Sequence, residues 1–160
     1  MSEKNKKNPP LKRALTQDKM TAHDAKAFLV TCMDFRFIDD EINHMLDKGY
    51  GVNFDAFVLA GVSIGINQTT YPEWGKTFFE HIELSKKIHH IKKIILFEHL
   101  DCGAYKMFCP EFKNEEEERL IHIKEMKIAA QKIKDKFPDL KVVCKIINTK
   151  REVEKVFVLK

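Results

Sequence analysis

The sequence predicts an α/β domain with a mostly parallel central sheet flanked by helices and an antiparallel hairpin at its C-terminal end. Three observations predict it. Apolar runs at 27–31, 55–60 and 92–98 alternate with longer stretches of helical periodicity, the signature of strands joined by helical crossovers. The run Ala27-Phe28-Leu29-Val30-Thr31 is almost continuously apolar, as in a strand covered on both faces. Two final strand signals, 141–147 and 153–159, flank the polar connection Asn148-Thr149-Lys150-Arg151, which reads as a hairpin.

Taken in order, residues 1–13 carry five basic side chains (Lys4, Lys6, Lys7, Lys12, Arg13) against Glu3, and read as a solvated, disordered basic tail. The remainder, 14–160, reads as one domain. The whole chain has 28 Lys and Arg against 24 Asp and Glu, so the tail accounts for the surplus and the body is close to neutral. No basic stripe with interleaved aromatics follows, which argues against a nucleic-acid partner. There is no apolar signal-peptide core and no run of about 18 apolar residues, so no membrane partner is expected and the expected location is cytoplasmic. In that compartment Cys32, Cys102, Cys109 and Cys144 read as reduced thiols or metal ligands rather than disulfides.

A short helix is expected between Leu11 and Lys26, then the first strand. Ile38, Ile42, Met45 and Leu46 fall at helical spacing behind Asp39, Asp40 and Glu41 and ahead of Gly49, predicting a helix over 38–48 whose acidic first turn favours the dipole. The strand at 55–60 runs into Gly61-Val62-Ser63-Ile64-Gly65, a loop that lets backbone approach a ligand or partner. Pro72 opens a helix to about His90, with Trp74, Phe78, Ile82, Ser85 and Ile88 as its core stripe. After the strand at 92–98, Asn114 is a helix N-cap with Glu117 at the capping-box position. Leu120, Ile123, Met126, Ala130, Ile133 and Phe137 are the expected buried face, and Pro138 ends the helix. The run Glu115 to Glu118 reads as a charged first turn.

The chemistry-bearing stretch is His99-Leu100-Asp101-Cys102-Gly103. An imidazole and a thiol three residues apart, on a loop leaving a strand and turning at glycine, suit one zinc ion. Cys32, in Cys32-Met33-Asp34-Phe35-Arg36, also follows a strand. In open parallel sheets ligands gather outside the carboxyl ends of the strands, so Cys32, His99 and Cys102 form a candidate three-ligand set with room for a fourth, as in catalytic zinc sites. Asp34 is then either a fourth ligand or a hydrogen-bond acceptor for water there, with Arg36 holding its carboxylate. Read singly, the same residues are a core cysteine, a loop histidine and a surface ion pair. Asp101 and Gly103 read as loop-shaping, Cys109 and Cys144 as non-ligands, His89 and His90 as favourable to a helix dipole, and His23, His44, His81 and His122 as outside any ligand pattern. A cysteine phosphatase built on Cys32 and Arg36 fits poorly, because the three intervening residues include no glycine.

These two motifs resemble those of the β-class carbonic anhydrases, Cys-x-Asp-x-Arg followed by His-x-x-Cys. The resemblance implies that Cys32, His99 and Cys102 bind Zn2+, and that Asp34 and Arg36 form the dyad governing access to the fourth position. It implies reversible hydration of carbon dioxide to bicarbonate, and a homodimer or higher homo-oligomer with the site near the interface. Phe35, Gly61 and Gly103 are the expected substrate-facing positions. The family commonly carries Arg-Asn-Ala-Gly where this chain has Val58-Leu59-Ala60-Gly61, and Phe35 stands where a small residue is usual. Two alternatives therefore stay open, a carbon disulfide or carbonyl sulfide hydrolase with the same zinc set, and a non-catalytic zinc-stabilised dimeric domain.

Overall fold

The computed structural model describes residues 23–51, 53–109 and 111–160. The basic tail and most of the helix expected over 11–26 lie outside them, and residues 23–26 are irregular rather than helical. The elements are β1 (Phe28–Thr31), α1 (Ile38–Asp47), β2 (Asp55–Val58), α2 (Ser63–Ile66), α3 (Pro72–His89), β3 (Lys93–His99), α4 (Gly103–Phe108), α5 (Glu115–Lys136), β4 (Lys141–Ile147) and β5 (Val153–Leu159). The sheet runs β2-β1-β3-β4-β5. Its first four strands are parallel, and only β4 and β5 pair antiparallel, as the alternation and the final hairpin predict. Strand order reverses between β1 and β3. Crossovers leave that point in opposite directions and open a crevice at the carboxyl ends of the two strands.

Alternation along the central strands sends side chains to two unequal layers. Phe28, Val30, Ile94, Leu96, Val142, Cys144 and Ile146 point toward α2 to α5 and pack on Phe78, Ile82, Met126, Ala130 and Ile133. Ala27, Leu29, Ile95, Phe97, Val143 and Ile147 point the other way, where Phe37 and Met45 cover them.

Three expectations are corrected. Ile88 is 49% exposed and Leu120 56% exposed, so neither belongs to its helix's core stripe. On α5 the buried face instead runs through Glu118, His122, Met126, Ala130 and Ile133, rotating the first two turns so that polar side chains face inward. Glu41, expected to serve the dipole of α1, is buried, with no hydrogen-bond partner at Oε1 among the described residues. Burial pushes its carboxyl up to about 9, so it is a neutral acid at neutral pH. The cap of α5 is as predicted at Asn114, whose side chain accepts from the Glu117 amide at 2.9 Å. In return Glu117 Oε2 accepts from the Lys113 amide at 2.7 Å.

Candidate metal centre

Cys32 leaves the end of β1, His99 ends β3, and Cys102 caps α4. Because β1 and β3 are adjacent and in register, with Thr31 opposite Phe97, the two motif loops meet. One ligand-type atom from each of Cys32, His99 and Cys102 lies within 4.8 Å of the others, and all three residues are buried. The two Sγ atoms stand 4.0 Å apart. Cys109 and Cys144 lie outside this cluster, Cys144 as core within β4.

Each donor is oriented by its surroundings. His99 Nδ1 donates to the Leu100 carbonyl at 2.9 Å and its ring stacks on Phe37, with centroids 4.4 Å apart. That bond fixes the tautomer and leaves Nε2 as the free donor atom. Nε2 is buried with no hydrogen-bond partner among the described residues. Cys32 Sγ accepts from the Gly61 amide at 3.3 Å, and the Ala104 and Tyr105 amides at the start of α4 point to Cys102. Contact with Cys102 holds the Cys32 thiol well below the ordinary thiol range, and the same contact with burial pushes Cys102 up. Two buried sulfurs this close favour a single shared proton until a cation neutralises both. An orphaned imidazole nitrogen facing two thiols is a donor set compatible with zinc.

Asp34 is held by Arg36, as the motif suggests. The Arg36 Nε reaches Asp34 Oδ1 at 2.9 Å and Nη2 reaches Oδ2 at 2.7 Å, and this guanidinium holds the Asp34 carboxyl down at about 2. The remaining arm, Nη1, bonds Asp101 Oδ2 at 2.8 Å, and Nη2 also bonds the Asp101 carbonyl at 3.0 Å. Arg36 therefore ties one motif loop to the other. Asp101, with φ of 57°, also pairs with Lys106, in keeping with a loop-shaping role.

Among the positions expected to face substrate, Phe35 and Gly103 line an apolar cleft of about 450 Å³ that opens beside Cys32 and Asp34, with Met33, Trp74, Met107 and Phe108. Gly61 does not line it. Its φ of 69° and the 2.5 Å separation that a Cβ there would have from Ile64 Cγ2 explain why glycine stands where an amide must reach a sulfur. The short helices α2 and α4 had no sequence signal, being under two turns long. Glu118 was also missed: its carboxylate accepts from the amides of Asp101 and Cys102 at 3.0 and 2.9 Å, fastening the second motif loop. Its position two turns before Met126 on the buried face of α5 was the available signal.

Residues 22–157 match the family described as "Putative carbonic anhydrase". The chain belongs to that family. It is similar to uncharacterized proteins of Rickettsia conorii and Rickettsia bellii, each 34% identical over 139 residues, covering 86% of this chain and 75% and 85% of those proteins. Among solved structures it is similar to one of two tetrameric β-carbonic anhydrases from the filamentous ascomycete Sordaria macrospora, at 10% identity and a TM-score of 0.53 over 89% of this chain and 86% of that one. At that identity the likeness concerns the fold, which is that of a β-carbonic anhydrase. Among the described residues no helix of this carbonic anhydrase family member is long and apolar enough to cross a membrane.

Proposed function

We propose that this chain is a zinc-dependent carbonic anhydrase acting on carbon dioxide and bicarbonate, with Cys32, His99 and Cys102 as the protein ligands. The observation that carries the reading is the buried Nε2 of His99, without a hydrogen-bond partner among the described residues and facing two thiols. Zinc, when bound, supplies the Lewis acidity that makes water a nucleophile near neutral pH.

The chain's own residues do the rest. Asp34, ionised under the grip of Arg36 and with Oδ2 3.8 Å from His99 Nε2, offers an acceptor that orients the attacking water. Because Arg36 occupies both carboxylate oxygens, Asp34 is kept from becoming a ligand itself. The apolar cleft beside Cys32 admits a small uncharged electrophile with little desolvation. Phe35, Met33 and Met107, 82%, 68% and 75% exposed, ring its mouth. So large an apolar rim calls for cover, and we read it as the contact between copies in a homo-oligomer, placing the site close to the interface. We place the protein in the cytoplasm.

Zinc analysis with stopped-flow hydration of carbon dioxide tests the proposal. One zinc per chain and turnover well above buffer are expected; zinc-loaded protein with no turnover overturns it. The apolar character of the cleft favours one second reading, hydrolysis of carbon disulfide or carbonyl sulfide, which the same preparation tests by sulfide release.

A further inference from the structure

Behind the expected ligands lies a buried cluster with no part in the reaction proposed above. His122, on α5, bonds Glu98 Oε2 through Nδ1, and its Nε2 lies 3.6 Å from Glu118 Oε1, an ion-pair distance just beyond hydrogen-bond reach. The Tyr105 ring stacks on it, with centroids 3.5 Å apart. Glu98, Glu118, His122 and Tyr105 are all buried. Each carboxylate fastens a different backbone segment. Glu98 accepts from the Ser63 amide at 2.9 Å and the Tyr105 hydroxyl at 2.8 Å. Glu118 accepts from the amides of Asp101 and Cys102.

Those segments carry the groups that face the two thiols. Ser63 lies two residues from Gly61, whose amide donates to Cys32, and Tyr105 belongs to the turn whose amides face Cys102. Two buried carboxylates need a shared cation between them, since either alone would be a costly unpaired charge. Burial by itself would lower the His122 pKa, but Glu118 and Glu98 outweigh it and raise it.

We propose that His122 is a positioning residue which, by bridging Glu98 and Glu118, locks the Gly61–Ser63 and Asp101–Cys102 segments and so holds both thiols in metal-binding geometry. This rests on the zinc reading above for its consequence, though not for the lock itself. An outer-shell change of this kind weakens metal binding about 10- to 100-fold.

The test uses the full chain and two measurements: zinc affinity by chelator competition, and amide hydrogen exchange at Asp101 and Cys102 in the metal-free protein. His122→Gln keeps a polar side chain but cannot serve both carboxylates as a cation. It should bind zinc about 10- to 100-fold more weakly, and exchange at Asp101 and Cys102 should quicken far more than at Leu96 in β3. Ile133→Ala, three turns further along the same face, removes core packing about 16 Å along the helix from His122; it should lower Tm and leave affinity and the loop amides unchanged. Wild-type affinity and protection in His122→Gln overturn the proposal, as does an equal loss of both in Ile133→Ala. If His122→Gln does not fold, Tyr105→Phe decides, since it deletes only the hydroxyl on Glu98: a several-fold loss with faster loop exchange supports the lock, and no change overturns it. Failure of wild type to take up zinc would count against the proposed function alone, because the exchange measurement needs no metal.

Discussion

The Nε2 of His99 and the Oδ2 of Asp34 stand 3.8 Å apart, and Arg36 grips the same carboxylate. The carboxylate is bound at both oxygens by Nε and at Oδ2 by Nη2. Replacing Arg36 with Ala frees Asp34 to swing toward the metal position. Zinc content should stay near that of wild type while carbon dioxide hydration falls on the order of 10²-fold. A surface pair acting only on stability would be worth about 0–1 kcal/mol and would leave turnover nearly intact. Asp34→Ala should retain zinc and also lose turnover.

The sulfur positions give a sharper test of the metal. Cys102→Ser should lose most bound zinc, and Cys32→Ser likewise, because both thiols belong to the same three-donor cluster. Cys144→Ser and Cys109→Ser should keep full occupancy. Retention of zinc in Cys102→Ser, measured by elemental analysis after dialysis, would mean that other residues bind it.

Glu41 predicts a pH dependence with a definite sign. Its folded pKa is raised to about 9 from an ordinary 4.5. Above pH 4.5 the unfolded chain releases this proton while the folded chain keeps it, so the group removes stability progressively as pH rises toward 9. Glu41→Gln, uncharged throughout, should gain on wild type as pH rises, reaching about 3 kcal/mol at pH 7. Urea unfolding at pH 5, 7 and 9 checks this; a constant difference across the series contradicts it.

Gly61 and Gly103 should respond oppositely to alanine. At Gly61 the added Cβ would sit 2.5 Å from Ile64 Cγ2 and 2.9 Å from Ala104 Cβ, on a backbone with φ of 69°, so Gly61→Ala should cost about 1–3 kcal/mol. At Gly103 a Cβ meets nothing within 4 Å among the described residues, and thermal unfolding of Gly103→Ala should match wild type. Any effect of that variant belongs in turnover, since Gly103 walls the cleft.

Phe35→Glu, at the most exposed point of the apolar rim, should shift sedimentation toward the monomer at micromolar concentration. Unchanged assembly in that variant would move the contact between copies elsewhere on the surface.

The central strands were legible because burial on both faces forces continuous apolar runs such as Ile94-Ile95-Leu96-Phe97, and the hairpin because its connection is so short. Cys32, His99 and Cys102 were legible as types and spacing, and the register of β1 against β3 brings them together. Glu118 and His122 were not. A buried polar pair mimics the solvent face of a helix, and Glu118 hides at the end of four consecutive glutamates, of which it alone is buried. Its spacing from Met126 sets it apart from its neighbours only weakly, and the partners that hold it, the Asp101 and Cys102 amides, lie across the fold. The helices α2 and α4 were lost for a different reason: at four and six residues they are too short to show a period.

The pairing of β1 with β3 also sets when the site can exist during folding. Cys32 and Cys102 are 70 residues apart in the chain, and nothing local draws them together. Closing so long a loop precedes any reward from the contacts it creates, which makes parallel pairing of this kind slow. A metal ion meeting the nascent chain finds separate, weak donors until that step is done. Metal capture should therefore follow the rate of chain refolding rather than the rate of diffusion, and stopped-flow refolding in the presence of a zinc-sensitive dye would show the two phases rising together.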